Sequence, residues 1–263
     1  MGMCDSKGTQ APNVNTEKII NKSLMEIQIE REINNDLKTL VENLDMLKIN
    51  QNNFENAKFT DDDVISINSK KVKFKGQIKN GKLNGKGILI SSNGAQYKGE
   101  WKDNKLNGEG TINHNGIKVE GIFENNKLLS GKGKIIFKNG SYYEGELENY
   151  QMDGIGKLDN GKGTIYEGSF KNNKKDGKGT LTMIDGSRIK GEWKNDKLEG
   201  KAITSFKNGT SLEANYINDK AEGNGKFFYN DGHRFECNFH DNKPVGRGLM
   251  YYPDGGVKET YFS

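Results

Sequence analysis

The first seven residues, Met1-Gly2-Met3-Cys4-Asp5-Ser6-Lys7, set a glycine second and a serine sixth. That is the pattern read in N-myristoyl transfer, with Gly2 as acceptor, and Cys4 is placed for S-palmitoylation beside it. One myristoyl chain binds a membrane reversibly and a second acyl chain anchors it, so Gly2 and Cys4 work as a pair. The pattern has meaning only in a eukaryotic cell; without it the segment is an ordinary polar start. Lysine recurs at Lys82, Lys105, Lys127, Lys174, Lys197, Lys220 and Lys243. On one rim these could contact anionic lipid headgroups, each worth about 1 kcal/mol near such a surface. The alternative is a set of solvated turn residues that discourage strand pairing.

Other chemistry finds less support. His233, Cys237 and His240 are close in sequence, but on one strand His240 would face away from the other two, and no fourth ligand lies nearby. No metal or cofactor is expected. Three histidines, including His114, form no Ser/His/Asp arrangement. Gly-Lys pairs such as Gly85-Lys86 and Gly177-Lys178 lack the Ser or Thr of a phosphate loop. Asp61-Asp62-Asp63 reads as a solvated turn. No active site emerges, and the chain is expected not to be an enzyme.

Composition explains what must position these residues. The 263 residues are 32% hydrophobic and 29% charged, with 34 glycines and only 3 prolines. So thin a supply of core argues against a compact two-sided α/β enzyme, and the low proline content against a Pro/Gly-rich linker. With 40 basic and 36 acidic groups the net charge of +4 gives nucleic-acid binding little support. Two cysteines exclude a disulfide framework and fit a reducing compartment. No apolar run is long enough to span a membrane.

The glycines are periodic. Tyr97-Lys98-Gly99-Glu100-Trp101 is followed by Gly108, Gly110 and Gly116, and the pattern restarts from Phe74, Tyr97, Val119, Tyr143, Tyr166, Ile189, Leu212 and Phe235. A Gly-x-Gly pair keeps register in the copies, from Gly85/Gly87 to Gly246/Gly248, except that the sixth has Gly200 and Ala202. Each copy reads as a β-hairpin. In Tyr166-Glu167-Gly168-Ser169-Phe170 the aromatics share one face, Asn172-Asn173 suits a tight turn, and Gly179-Thr180-Leu181-Thr182-Met183 is the return strand. Glycine inside a strand is costly, so its recurrence predicts close packing there, with aromatic rings from adjacent repeats as the expected occupants. Trp101, Phe123, Phe170, Trp193, Tyr216 and Phe239 would then form either the core of the array or a groove for a partner helix.

This pattern, Tyr-x-Gly-x-Trp…Gly-x-Gly…Gly over residues 74–257, resembles the MORN (membrane occupation and recognition nexus) repeat in eight copies. The resemblance implies a mainly β fold, an elongated single-layer antiparallel sheet of stacked hairpins with one grooved face. Ala214 and Cys237 replace the motif glycine in copies seven and eight, and Tyr216 and Phe239 its tryptophan. Some MORN proteins carry a kinase or SET domain, for which the 73 residues before the first copy leave no room.

The rest of the chain divides into a flexible, acylated terminus (1–16), a helical segment (17–56), a linking strand (57–73) and a C-terminal cap (258–263) in which Tyr261 and Phe262 cover the last hairpin. Ile33, Leu37, Leu40, Leu44 and Leu47 follow a 4-3-4-3 spacing. That stripe serves either as an N-terminal cap on the repeats or as a short coiled coil, with a partner or as a homodimer through residues 33–47. The expectation is a non-catalytic scaffold on the cytosolic face of a membrane (plasma or ciliary, or cortex) presenting a groove to a protein partner. The alternatives are an axonemal, radial-spoke-like component of cilia or flagella and direct binding of anionic phospholipid by the repeats. No nucleic-acid partner is expected.

Overall fold

The computed structural model describes residues 35–40, the backbone of 64–68, and residues 72–262. Gly2, Cys4, Ile33, Leu44, Leu47, the acidic triplet at 61–63 and most of the expected helical segment lie outside the described residues. The chain divides into two compact units, with the boundary between Gly156 and Lys157.

The first unit holds a helix at residues 35–40 (α1) and an antiparallel sheet. Its strands are β1 (Val64–Asn68), β2 (Val72–Lys79), β3 (Lys82–Ser91), β4 (Gln96–Lys102) and β5 (Lys105–His114). They continue with β6 (Ile117–Glu124), β7 (Lys127–Ile136), β8 (Tyr142–Glu148) and β9 (Gln151–Asp159), at whose Gly156 the unit ends. Each strand pairs with the next in sequence. The second unit contains β10 (Ile165–Lys171), β11 (Lys174–Thr182), β12 (Arg188–Lys194), β13 (Lys197–Ser205) and β14 (Ser211–Ile217). After these come β15 (Lys220–Phe228), β16 (Arg234–His240), β17 (Lys243–Tyr251) and β18 (Val257–Phe262), again paired in chain order. The expected class, stacked antiparallel hairpins with a helical element before them, is the one observed.

Alternation dictates two faces. Along β4, Tyr97 and Trp101 are buried while Lys98 and Lys102 are exposed, and the other strands repeat this pattern. The inner face is therefore a core, and it includes Tyr97, Leu106, Ile112 and Val119 at 0% exposure.

Glycine meets glycine across the sheet. Gly76, Gly87, Gly99, Gly110, Gly121 and Gly131 are consecutive cross-strand partners from β2 to β7. The two members of the Gly-x-Gly pair do different work, as the fifth copy shows. Gly177 has φ 103° beside a register shift between Gly168 and Phe170, so it makes the bulge. Gly179 lies opposite Gly168, and a Cβ there would sit 2.6 Å from Tyr166 Cε2. The covering ring comes from the same copy here, whereas Phe123 covers Gly110 from the following copy. Rings thus come from both sources, because a side chain leans diagonally across an antiparallel pair as well as onto the next one.

The hairpin turns carry an unforeseen ladder. Asn172 and Asn173 have φ of 48° and 64°, the two left-handed residues of a tight turn. At Asn104, Asn126, Asp196, Asp219 and Asn242 the second residue of such a turn also reaches back to the preceding copy. Asn126 Oδ1 accepts from Leu106 N at 2.7 Å, and Asn126 N donates to Leu106 O at 3.0 Å. The same exchange joins Asn104 to Leu83, Asp219 to Leu198 and Asn242 to Ala221. Tyr150 holds that position in the fourth copy, at φ 61°, and gives its hydroxyl to Asn126 O. At the C-terminus Phe262 meets Phe235 edge-on at 5.7 Å, while Tyr261 points outward.

Candidate functional site

The inner face supplies the site. Trp101, Phe123, Phe170, Trp193, Tyr216 and Phe239 are each exposed by 4% or less, so they form its floor. Each unit has residues at one further register position of that face, His114 and Phe137 in the first and Met183, Phe206, Tyr229 and Tyr252 in the second, all separated by 23 residues or a multiple of 23. The row stands at the far end of each return strand, where the chain leaves the sheet. The motif aromatics do not reveal this position; its signal in the sequence is the spacing of 23, interrupted once at Asn160.

In the first unit one member of this row, His114, meets α1. Leu37 and Leu40 are buried, and Asp36 Oδ2 accepts from Tyr97 Oη at 2.6 Å. His114 Nδ1 lies 2.9 Å from Tyr97 Oη and 3.3 Å from Asp36 Oδ2. Asn115 Nδ2 donates to His114 Nε2 at 3.0 Å, which places the imidazole proton on Nδ1, facing that pair. A tight turn at Asn115-Gly116, with φ of 46° and 81°, brings His114 to the edge of the face. Burial, then the hydrogen bond to Asp36, raises the Tyr97 phenol far above its ordinary 10.0, so it remains a donor.

In the second unit the same positions are apolar. Met183, Phe206, Tyr229 and Tyr252 are partly exposed. Phe227 stacks on Phe206 and on Tyr229, at 6.4 Å in both cases, and His233 meets Tyr252 edge-on at 4.8 Å. Lys175 stands where the other copies have leucine, methionine, alanine or proline; it is buried, with its ammonium 4.0 Å from the Trp193 ring and 5.6 Å from that of Tyr166.

The lysine rim is partly tied down. Lys82 pairs with Asp103 at 3.6 Å and Lys220 with Asp241 at 2.7 Å, in each case the next turn of the ladder. Lys174 and Lys197 donate to Asn195 and Asn218 at 3.4 and 2.8 Å. A lipid headgroup would have to compete with these contacts. Lys105, Lys127 and Lys243 occupy the equivalent rim positions and are exposed.

The remaining reactive groups are dispersed. Cys237 is on the inner face, where burial lifts its thiol to about 11, so it is not a nucleophile at neutral pH. His240 is exposed and faces Glu222 at 3.2 Å, while His233 pairs with Asp231 at 2.6 Å. Among the described residues no group of three His, Cys, Asp or Glu is placed to hold a metal ion. Nor is any helix among them long and apolar enough to cross a membrane. A shallow outer furrow contains Glu120, Lys132, Glu146 and Asp153. Glu146 there accepts from Ile155 N at 2.9 Å, which with Lys132 holds its carboxyl low and engages it in the sheet.

Comparison with known proteins settles the family. The MORN repeat model matches residues 74–96, 97–112, 120–142, 143–165, 166–188, 190–211, 213–234 and 238–257. The chain belongs to the MORN-repeat family. The truncated second match ends just before the tight turn at Asn115-Gly116. No curated protein matches the chain in sequence. Among solved structures it is similar to the SAS-4 (dCPAP) TCP domain of Drosophila melanogaster, in complex with a proline-rich motif of Ana2. That likeness has a TM-score of 0.34 and 12% identity, covering 76% of this chain and 90% of that one. The wild-type TCP10 domain of Danio rerio CPAP gives 0.41 and 13%, covering 76% and 94%.

Proposed function

We propose that this MORN-repeat protein is a non-catalytic scaffold whose second unit docks a protein partner on the inner face, along Met183, Phe206, Tyr229 and Tyr252. One observation carries the reading: the register position at which His114 meets α1 in the first unit is an apolar, partly exposed row in the second. An amphipathic helix from a partner would gain about 25 cal/mol for each Å² of apolar surface it removes from water there. Substituting Phe206, Tyr229 and Tyr252 together by serine is expected to abolish capture of the partner from the native source. Ile203→Ser, at an exposed outer-face position, should leave capture intact. Equal capture by both variants would refute the docking row.

The scaffold is held at the cytosolic face of a membrane by acyl groups on Gly2 and Cys4. The support is the residue pattern of the first seven positions and the stability that two chains give. Mass spectrometry of the N-terminal peptide from the native source should find myristoyl on Gly2. A free or acetylated terminus would remove the membrane tether and leave the docking face.

A further inference from the structure

Within residues 35–40, α1 meets the sheet through Leu37, Leu40 and Asp36. Its two buried leucines give the contact area and Asp36 gives it an address. The carboxylate meets a phenol whose hydroxyl points at it and an imidazole whose tautomer is fixed by Asn115. Tyr97 and His114 are 0% and 4% exposed, so this polar pair is set into an otherwise apolar face. Hydrogen bonds to a charged acceptor are the strong ones, and a buried donor left without its acceptor carries a desolvation penalty. A face built in this way selects for a carboxylate in its occupant.

We propose that Tyr97, His114 and Asn115 form a carboxylate-reading site for short amphipathic helices of the pattern Asp-Leu-x-x-Leu, and that residues 36–40 occupy it in cis as a built-in competitor. The ligand class is an acidic amphipathic helix. A partner helix carrying an acid immediately before the first of two leucines at that spacing gains access by displacing α1. The cis segment is tethered, which gives it an effective concentration on the order of mM. Only a partner that binds more tightly, or is presented at high local concentration, opens the site. The inference rests on the reading that inner faces of these repeats dock helices, but it concerns the first unit alone.

The test uses the full chain and a fluorescein-labelled peptide with the sequence of residues 33–47. Asp36→Ala in the chain weakens the cis contact, so the peptide should bind that variant at least about 10-fold more tightly than the unsubstituted chain, as expected for one lost charge-assisted hydrogen bond. Adding Tyr97→Phe to the chain, or replacing the aspartate at the peptide's own position 36, should each reverse the gain. A second readout needs no variant: saturating peptide should speed hydrogen exchange of the 35–40 amides in the unsubstituted chain. Unchanged exchange there, or equal affinity of the peptide for both chains, would overturn the proposal. If the peptide fails while the second unit's aromatic row still governs capture, the cis competitor falls and the scaffold stands.

Discussion

Gly179→Ala is expected to cost about 3 kcal/mol of stability, at the upper end of what overpacking a core usually costs. Backbone strain is not the reason, since Gly179 is not among the glycines with positive φ. The added methyl would sit 2.6 Å from Tyr166 Cε2 and closer still to the phenol end of that ring. The ring cannot swing away cheaply. Tyr166 meets Phe170 edge-on at 5.1 Å and Trp193 at 5.5 Å, and its hydroxyl donates to Ser169 O at 3.1 Å. Gly186→Ala is the control. Gly186 has φ 89° and nothing within 4 Å of the added methyl, so the cost there is backbone strain alone, about 1–2 kcal/mol. Urea denaturation of the two variants should separate them clearly. Equal midpoints would mean that the strand glycines answer to conformation and not to the ring above them.

Alkaline titration should unfold the protein cooperatively. Burial raises the phenols of Tyr97, Tyr143, Tyr166 and Tyr216 above 10.0, with nearby carboxylates adding to the effect for the first three. A group whose pKa is higher in the folded chain than in the unfolded one gives its full stabilisation below the unfolded value and loses it as pH rises past that value. Each such tyrosine therefore removes up to about 1.4 kcal/mol per pH unit above 10. Four together outrun the stability of an ordinary domain within a few units. Tyrosinate absorbance should show a cooperative component coincident with loss of the β-sheet circular dichroism. Tyr97→Phe should shift that component to higher pH. Smooth tyrosinate formation with the fold intact would show that these rings are reached by solvent.

Much of the fold was legible because its period is covalent. The eight copies, the strand pair in each and the asparagine turns follow from alternation and from residues that accept positive φ. The glycine substitutions also follow a rule that is visible only in the register. Ala202 and Ala214, departures in neighbouring copies, are partners of each other, and Cys237 faces Gly225. A small side chain is tolerated when its partner is small too.

Other features depend on distances that spacing does not encode. The Asn and Asp residues of the turns read as local in the sequence, although Asn104, Asn126, Asp196, Asp219 and Asn242 each close a hydrogen-bonded exchange with a residue about one repeat away. The stripe from Ile33 to Leu47 pointed to Leu37 and Leu40, yet the residue that addresses α1 to the sheet is Asp36, between stripe positions and 61 residues from Tyr97. Helical periodicity tells which side chains share a face. It does not say which flanking carboxylate will find a phenol. Lys175 was likewise invisible, since a lysine in a hairpin strand reads as solvated until the ring of Trp193 is seen beneath it.

Position-resolved photo-crosslinking in the native cell tests the docking face most directly. A benzophenone amino acid would be placed in turn at Phe206, Tyr229 and Tyr252, and at Ile203 and Ile217 on the outer face. The inner-face positions should crosslink to one and the same protein, with yields well above those at Ile203 and Ile217. Crosslinks spread evenly over both faces, or confined to the outer one, would contradict the account.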